Sequence, residues 1–303
     1  MLNRFLAKII ALLPQNLVWI FSKRYIAGKE LKDALRVSRE LNAVQIKSTI
    51  DVLGEYIQKT DEAIEYKRGY LHTIEMLKKE GIDATLSVKP SMFGLLLDEE
   101  FCYQQLKEVM KKAGEAGLSV CMDMEDSSCT QMELNLFEKL YKEFPGTVSI
   151  VLQAYLHRTL NDLQWLKSIM LPEYPINVRI CKGIYIEPEE IAYQGYQAVN
   201  KNFEACIAYM LDNGFYSAIA THDKRIIASA KQMLKQKAID GEAYEFQMLY
   251  GVRPALRNKL VKEGHDMRVY VPYGTHWYGY STRRLKENPR MITHIIKALI
   301  FRG

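Results

Sequence analysis

Residues 117–154 read GLSVCMDMEDSSCTQMELNLFEKLYKEFPGTVSIVLQA, and this stretch decides the fold. Gly117 suits a helix stop, and the short β-rich run Leu118–Met124 follows it. A helix-like stretch, Met132–Phe144, leads on to a second such run, Val148–Ala154. Strand, helix, strand in close succession is the unit of a parallel sheet. The first run carries Asp123 near its end, with Glu125 and Asp126 just beyond it, and the second carries Gln153 near its end.

The same alternation extends in both directions. Further runs lie at Ile46–Leu53, Ala84–Lys89, Ile176–Lys182, Ser217–Thr221, Tyr244–Leu249 and Met267–Pro272, which makes eight candidate strands in all. Helix-like stretches between them include Glu99–Ala116, Glu189–Asn213, Lys224–Gln236 and Pro254–Glu263, with Gly214 and Gly264 as further stops. In a chain of 303 residues without a Pro- or Ser-rich linker, this pattern predicts an α/β fold: a closed (β/α)8 TIM-like barrel.

Composition limits the partners. The net charge of +5 is carried by residues 1–40, which hold eight Lys/Arg against three Asp/Glu, leaving 33 of each sign elsewhere. That segment is also apolar, with Phe5, Ile9, Ile10, Leu12, Leu13, Trp19 and Phe21 among its residues. Its uncharged stretch is broken by Pro14, Gln15 and Asn16, too short for a span of about 20 apolar residues. No small-residue cleavage site precedes Lys23 and Arg24, as a signal peptide requires. We expect residues 1–40 to form a basic, apolar helical arm, touching an anionic membrane surface or packing on the chain's own core, and residues 41–303 to form the barrel. Nucleic acid is not an expected partner, because no RNA- or DNA-binding motif accompanies the charge. Five cysteines with no C-x-x-C pair point to a reducing, cytoplasmic setting.

Polar residues collect at one end of the runs. Lys89 closes the second, Asp123 the third, Gln153 the fourth, Arg179 and Lys182 the fifth, Thr221, His222 and Asp223 the sixth, and Gln247 the seventh. In a barrel these ends share one mouth, where active sites are built. Helix capping explains a single Asp123 or Asp223 but not the whole series. The six histidines are scattered, so no metal site is expected, and neither a phosphate-binding P-loop nor a G-x-G-x-x-G turn is present. Near the end, Tyr280, Arg283, Arg284 and Glu287 recur at helical spacing, so one face would present two guanidiniums able to fork a carboxylate. An ordinary solvated helix face is the alternative.

The ordered set of motifs is more specific than any member of it. Asp-Met-Glu-Asp at 123–126, Gln-Ala-Tyr at 153–155, Val-Arg-Ile-Cys-Lys-Gly-Ile-Tyr at 178–185, Ala-Thr-His-Asp at 220–223, Glu-Phe-Gln-Met-Leu-Tyr-Gly at 245–251 and the closing Tyr-x-x-Arg-Arg together resemble proline dehydrogenase, in its stand-alone bacterial form. The resemblance implies a distorted barrel holding FAD, and oxidation of L-proline to Δ1-pyrroline-5-carboxylate by hydride transfer to the flavin. It also implies a membrane quinone as electron acceptor, with a separate pyrroline-5-carboxylate dehydrogenase as a possible partner. The protein would then lie peripherally on the inner face of the membrane. Carried over by position, Lys89, Arg283 and Arg284 would clamp the proline carboxylate while Tyr185 and Tyr280 pack on the ring. Asp123 would support the pocket and Arg179 would lie near the flavin, giving both catalytic roles. Met124, Gln153, Lys182, Gly183, Ile184, Thr221, His222 and Gln247 would complete the FAD site, with Tyr270 and Glu287 behind it.

The chain departs from the family pattern in three places. Asp223 stands where an Asn is usual, Ile184 where an Ala is usual, and Ser281-Thr282 replace bulkier residues. Another flavin barrel reductase, or a noncatalytic relative serving as a membrane-associated interaction protein, are the alternatives. A yellow colour on purification separates the enzymes from the last.

Overall fold

A computed structural model describes residues 18–281 other than 20, 21 and 55. Eight parallel strands close in sequence order: β1 (Lys47–Val52), β2 (Ala84–Val88), β3 (Val120–Met122), β4 (Val148–Gln153), β5 (Asn177–Cys181), β6 (Tyr216–Ala220), β7 (Tyr244–Leu249) and β8 (Met267–Tyr273). β8 returns to β1 with Val271 opposite Ile50, so the sheet has no free edge. The expected TIM-like barrel is therefore the observed fold. Every residue of β2 and β4 is buried, as parallel strands covered on both faces must be.

Between the strands run α2 (Thr60–Glu80), α3 (Glu99–Glu115), α4 (Thr130–Glu143), α5 (Thr159–Ile169), α6 (Tyr196–Asp212), α7 (Lys224–Gln236) and α8 (Pro254–Lys262). Asp98 caps α3 by accepting from the Phe101 amide at 2.9 Å, which satisfies one donor of the first turn. The sequence places a helix over Glu189–Asn213, but α6 begins only at Tyr196. Pro188 and Gly195 (φ +81) bracket a loop instead. Its backbone pairs with the turn after β4, through His157 N to Ile191 O (3.0 Å) and Tyr193 N to Tyr155 O (2.7 Å). Those tertiary bonds replace the first helical turns that periodicity suggests.

One helix arrives from an unusual place. α1 (Leu31–Asn42) precedes the barrel in sequence yet packs in the slot between β8 and β1, burying Ala34, Leu35, Val37 and Leu41 in the common core. Residues 31–40 of the expected arm thus lie in α1. With that slot filled, the chain leaving β8 turns over the mouth and forms a helical turn at 277–281. Among the described residues no helix is long and apolar enough to cross a membrane. All five cysteines are free.

Candidate active site

A cavity of about 1010 Å³ opens at the C-terminal ends of the strands. Lys89 enters it just beyond β2, Asp123 and Met124 just beyond β3, and Gln153 from the end of β4. Arg179 comes from within β5, and Lys182, Gly183, Ile184 and Tyr185 from the loop after it. Thr221 and His222 follow β6, Gln247 lies on β7, and Tyr280 reaches in from the turn over the mouth. Every site residue expected from the sequence and lying among the described residues meets here. Arg283, Arg284 and Glu287 lie outside the described residues.

The interior pole is a charge network contributed by five strands. Arg179 Nη1 is 2.7 Å from Asp123 Oδ1, which also accepts from Ser87 Oγ at 2.6 Å. Tyr270 donates its hydroxyl to Asp123 Oδ2 at 2.6 Å, and the Arg179 guanidinium lies 5.2 Å from the Tyr270 ring centroid. Lys89 Nζ is 2.6 Å from Asp51 Oδ1 and 3.6 Å from Asp123 Oδ2. Burial works against charge on Asp123, but Arg179 and Lys89 outweigh it and hold this carboxyl below its ordinary range. Asp51 differs, because burial dominates the pull of Lys89 and raises it from 3.8 to about 6. The two carboxylates flanking Lys89 are therefore pushed in opposite directions.

A second pole lies at the β5 and β6 exits. Lys182 Nζ is 2.7 Å from Asp223 Oδ2 and 4.6 Å from the Tyr196 ring centroid, while Asn200 Nδ2 donates to the same carboxylate at 3.3 Å. Burial disfavours charge on Asp223, yet hydrogen bonds from Lys182 and Tyr196 bring it down to about 2. Asp223 also caps α7 by accepting from the Arg225 amide at 3.0 Å. Gln153 Nε2 donates to the Met124 carbonyl at 3.1 Å. His222 Nε2 accepts from the Leu249 amide at 2.9 Å, and Gln247 Nε2 donates to Glu245 Oε1 at 2.6 Å. The loop after β5 is anchored by Glu187, which accepts from both the amide and the hydroxyl of Ser127 at 2.8 and 2.7 Å. Gly183 sits at φ +103, and a Cβ there would come 2.2 Å from the Tyr155 ring. Only glycine fits that corner.

Sequence reading missed Asp51 and Ser87, and saw Asp223 as a polar residue closing the sixth run and as a departure from the family pattern, without its partner Lys182. The available signal for Asp51 was a carboxylate inside the otherwise apolar run Ile46–Leu53.

Comparison with known proteins places this geometry. The proline dehydrogenase family model matches residues 34–294. Proline dehydrogenase 2 of Bacillus subtilis (strain 168) is 36% identical over 276 residues, covering 91% of this chain and 89% of that protein. Proline dehydrogenase of Deinococcus radiodurans is 34% identical over 292 residues, covering 95% and 93%. The crystal structure of proline utilization A from Bdellovibrio bacteriovorus inactivated by N-propargylglycine is similar with a TM-score of 0.83 at 28% identity. That match covers 88% of this chain and 32% of the longer one, so this chain spans about a third of it.

Proposed function

The chain belongs to the proline dehydrogenase family, and from that membership we propose that it oxidises L-proline to Δ1-pyrroline-5-carboxylate using FAD held in the barrel mouth. The observation that carries this reading is the Lys89–Asp123–Arg179 network lining a cavity of about 1010 Å³. That volume is at the upper end of small-molecule sites and admits a large cofactor beside a small acid. The donor set fits a flavin. Arg179 Nε and Gln153 Oε1 are buried with no partner among the described residues, so a ligand there would relieve polar groups that are costly to leave unmet.

Lys89, with Arg283 and Arg284, binds the substrate carboxylate in this reading, and Tyr185 and Tyr280 pack against the ring. Asp123 holds Arg179 and Tyr270 in place through charge-assisted hydrogen bonds. Arg179, Met124, Gln153, Lys182, Gly183, Ile184, Thr221, His222 and Gln247 hold the cofactor. FAD, when bound, takes up the two electrons released by the ring. The protein's share is orientation: a fixed carboxylate presents one ring carbon in one direction. A cationic pocket also disfavours the ammonium form of the amine, so the substrate nitrogen is bound more readily without its extra proton.

The test is an absorbance spectrum of the purified protein before and after anaerobic L-proline. Bleaching of the flavin band is expected. A colourless protein, or a band that L-proline leaves unchanged, overturns the reading. The inhibitor named for the Bdellovibrio protein offers a second check, because N-propargylglycine is expected to inactivate this chain progressively. The same reading includes a membrane quinone as acceptor, peripheral contact with the inner membrane face, and release of product to a separate pyrroline-5-carboxylate dehydrogenase. The basic excess of residues 1–40 supports the membrane contact.

A further inference from the structure

The turn at 277–281 has two faces. Tyr278, Gly279 and Tyr280 line the cavity, while Trp277 and Ser281, four residues apart, face away from it onto the N-terminal segment. There Trp19 meets Trp277 with ring centroids 4.7 Å apart, and the Lys29 ammonium lies 5.1 Å from the Trp19 centroid and 6.0 Å from that of Trp277. Ser22 Oγ donates to Ser281 Oγ at 2.7 Å, and Ser281 Oγ donates to the Trp277 carbonyl at 2.8 Å. Both serines are buried, as are Val18 and Ile26.

The segment is also stitched to the barrel rim. Ala27 N donates to the Pro272 carbonyl at 2.9 Å and Gly274 N to the Gly28 carbonyl at 3.1 Å, on either side of the β8 exit. At the β7 exit the Arg24 carbonyl lies so close to Gly251 (φ +73) that an added Cβ would stand 1.7 Å from it. Residues 22–29 therefore cross two strand exits and then contact the turn that brings Tyr280 into the cavity.

We infer that Trp19, Ser22 and Lys29 are positioning residues: they hold the 277–281 turn against the mouth and so set the placement of Tyr280. This rests on the proposed proline site for its kinetic consequence, though not for its structural one. The contact pattern distinguishes it from simple burial, because the strap touches the very turn that carries a cavity residue on its opposite face. A Tyr280 ring that packs on the substrate does so equally in the ground and transition states, so displacing it is read in KM more than in kcat.

The experiment uses full-length holoprotein and the variants Trp19→Ala, Ser22→Ala and Trp19→Phe. KM and kcat for L-proline are measured with an artificial acceptor, together with FAD content and amide hydrogen exchange. Trp19→Ala is expected to raise KM about tenfold with kcat within about twofold and FAD retained, while Trp19→Phe restores KM to within about threefold. Exchange at 277–281 is expected to accelerate in Trp19→Ala and Ser22→Ala while β1–β8 stay protected. Unchanged KM and unchanged exchange at 277–281 would overturn the inference. So would a raised KM accompanied by losses of kcat, FAD content and strand protection, which marks a merely structural role. Ser22→Ala, lacking only one oxygen, decides the matter if Trp19→Ala does not fold. A wild-type protein that L-proline does not bleach removes the functional reading, while the exchange data still decide the strap.

Discussion

Asp51 is expected to make carboxylate binding pH-dependent, and replacing it by Asn is expected to abolish that dependence. Its carboxylate, 1% exposed, lies 2.6 Å from Lys89 Nζ. A ligand carboxylate accepting from the same ammonium adds a second hydrogen bond of about 2.8 Å, so the two anions end up about 5 Å apart. At an effective dielectric of about 20, their repulsion is about 3 kcal/mol, and water in the open cavity lowers this to about half, or about tenfold in affinity. The sign follows from the raised value of about 6. Below it Asp51 is neutral and Asp123, 3.6 Å from Lys89, is the one of the two carboxylates that keeps its charge; above it the Asp51 anion is present as well and binding weakens. The same shift acts on stability. Between 3.8 and about 6 the folded protein binds more protons than the unfolded chain, so this group's contribution falls as pH rises through that window. Asp123, held below its ordinary range, contributes in the opposite sense and loses its contribution as pH falls. The assay is a flavin-perturbation titration with tetrahydrofuran-2-carboxylate, which has the ring and the acid but no amine to titrate. From about pH 5 to 8 its own carboxyl stays ionised, so the dissociation constant is expected to rise about tenfold in the wild type and stay flat in Asp51→Asn. A flat wild-type profile, or a slope that survives the substitution, refutes the assignment of Asp51 and Lys89.

Further outcomes follow from the same site. Arg284→Met is expected to raise KM for L-proline by the equivalent of about 2–5 kcal/mol with FAD retained, since it removes one prong of a carboxylate clamp; normal steady-state kinetics exclude Arg284 from the site. Arg179→Ala is expected to slow flavin reduction in rapid mixing about a hundredfold or more, with a smaller change in substrate binding. It also leaves Asp123 with Lys89 at 3.6 Å as its remaining cation among the described residues, so the thermal midpoint falls by less at low pH, where Asp123 is protonated; equal loss at all pH values is the contrary result. Gly183→Ala is expected to lower FAD content measured after denaturation, because its Cβ would lie 2.2 Å from the Tyr155 ring at φ +103, and full occupancy would count against the corner as part of the site. Removing residues 1–17 keeps the buried Val18 and takes away Arg4, Lys8 and much of the apolar run, so salt-sensitive binding to anionic vesicles is expected to weaken by at least about 2 kcal/mol, roughly 1 kcal/mol per basic residue; undiminished co-sedimentation places the membrane contact elsewhere.

The strands were legible because burial on both faces demands continuous apolar runs, and the mouth was legible because charge does not belong at strand ends unless something uses it. Lys89, Asp123, Gln153, Arg179, Lys182 and Gln247 stood out on that ground alone, and all line the cavity. Asp51 was hidden because its meaning depends on register. Only when β1 pairs with β2, with Asp51 opposite Ser87, does the carboxylate come under Lys89. Asp223 was visible as an exchange of amide for acid, but its partner was not; the 2.7 Å pair with Lys182 belongs to the closure of β5 on β6. The helix expected from Glu189 failed for a related reason, since loop bonds to Tyr155 and His157 come from a distant turn that local periodicity cannot register.

The order of elements explains why the mouth closes as it does. In a regular barrel, the helix after β8 fills the groove between β8 and β1 and so points away from the strand exits. Here α1 occupies that groove before the first strand begins, and its apolar face contributes Ala34, Leu35, Val37 and Leu41 to the core. A following helix has no such groove left to bury its apolar face. The segment after β8 therefore finds its burial across the mouth, where Trp277 packs on Trp19 and Tyr280 reaches the cavity. The residues just upstream of α1 lie over the same exits and supply that packing, so one topological exchange accounts for both the lid over the site and the strap that holds it. The backbone bonds of Ala27 and Gly28 at the β8 exit join residues upstream of α1 to the barrel rim beside the cavity.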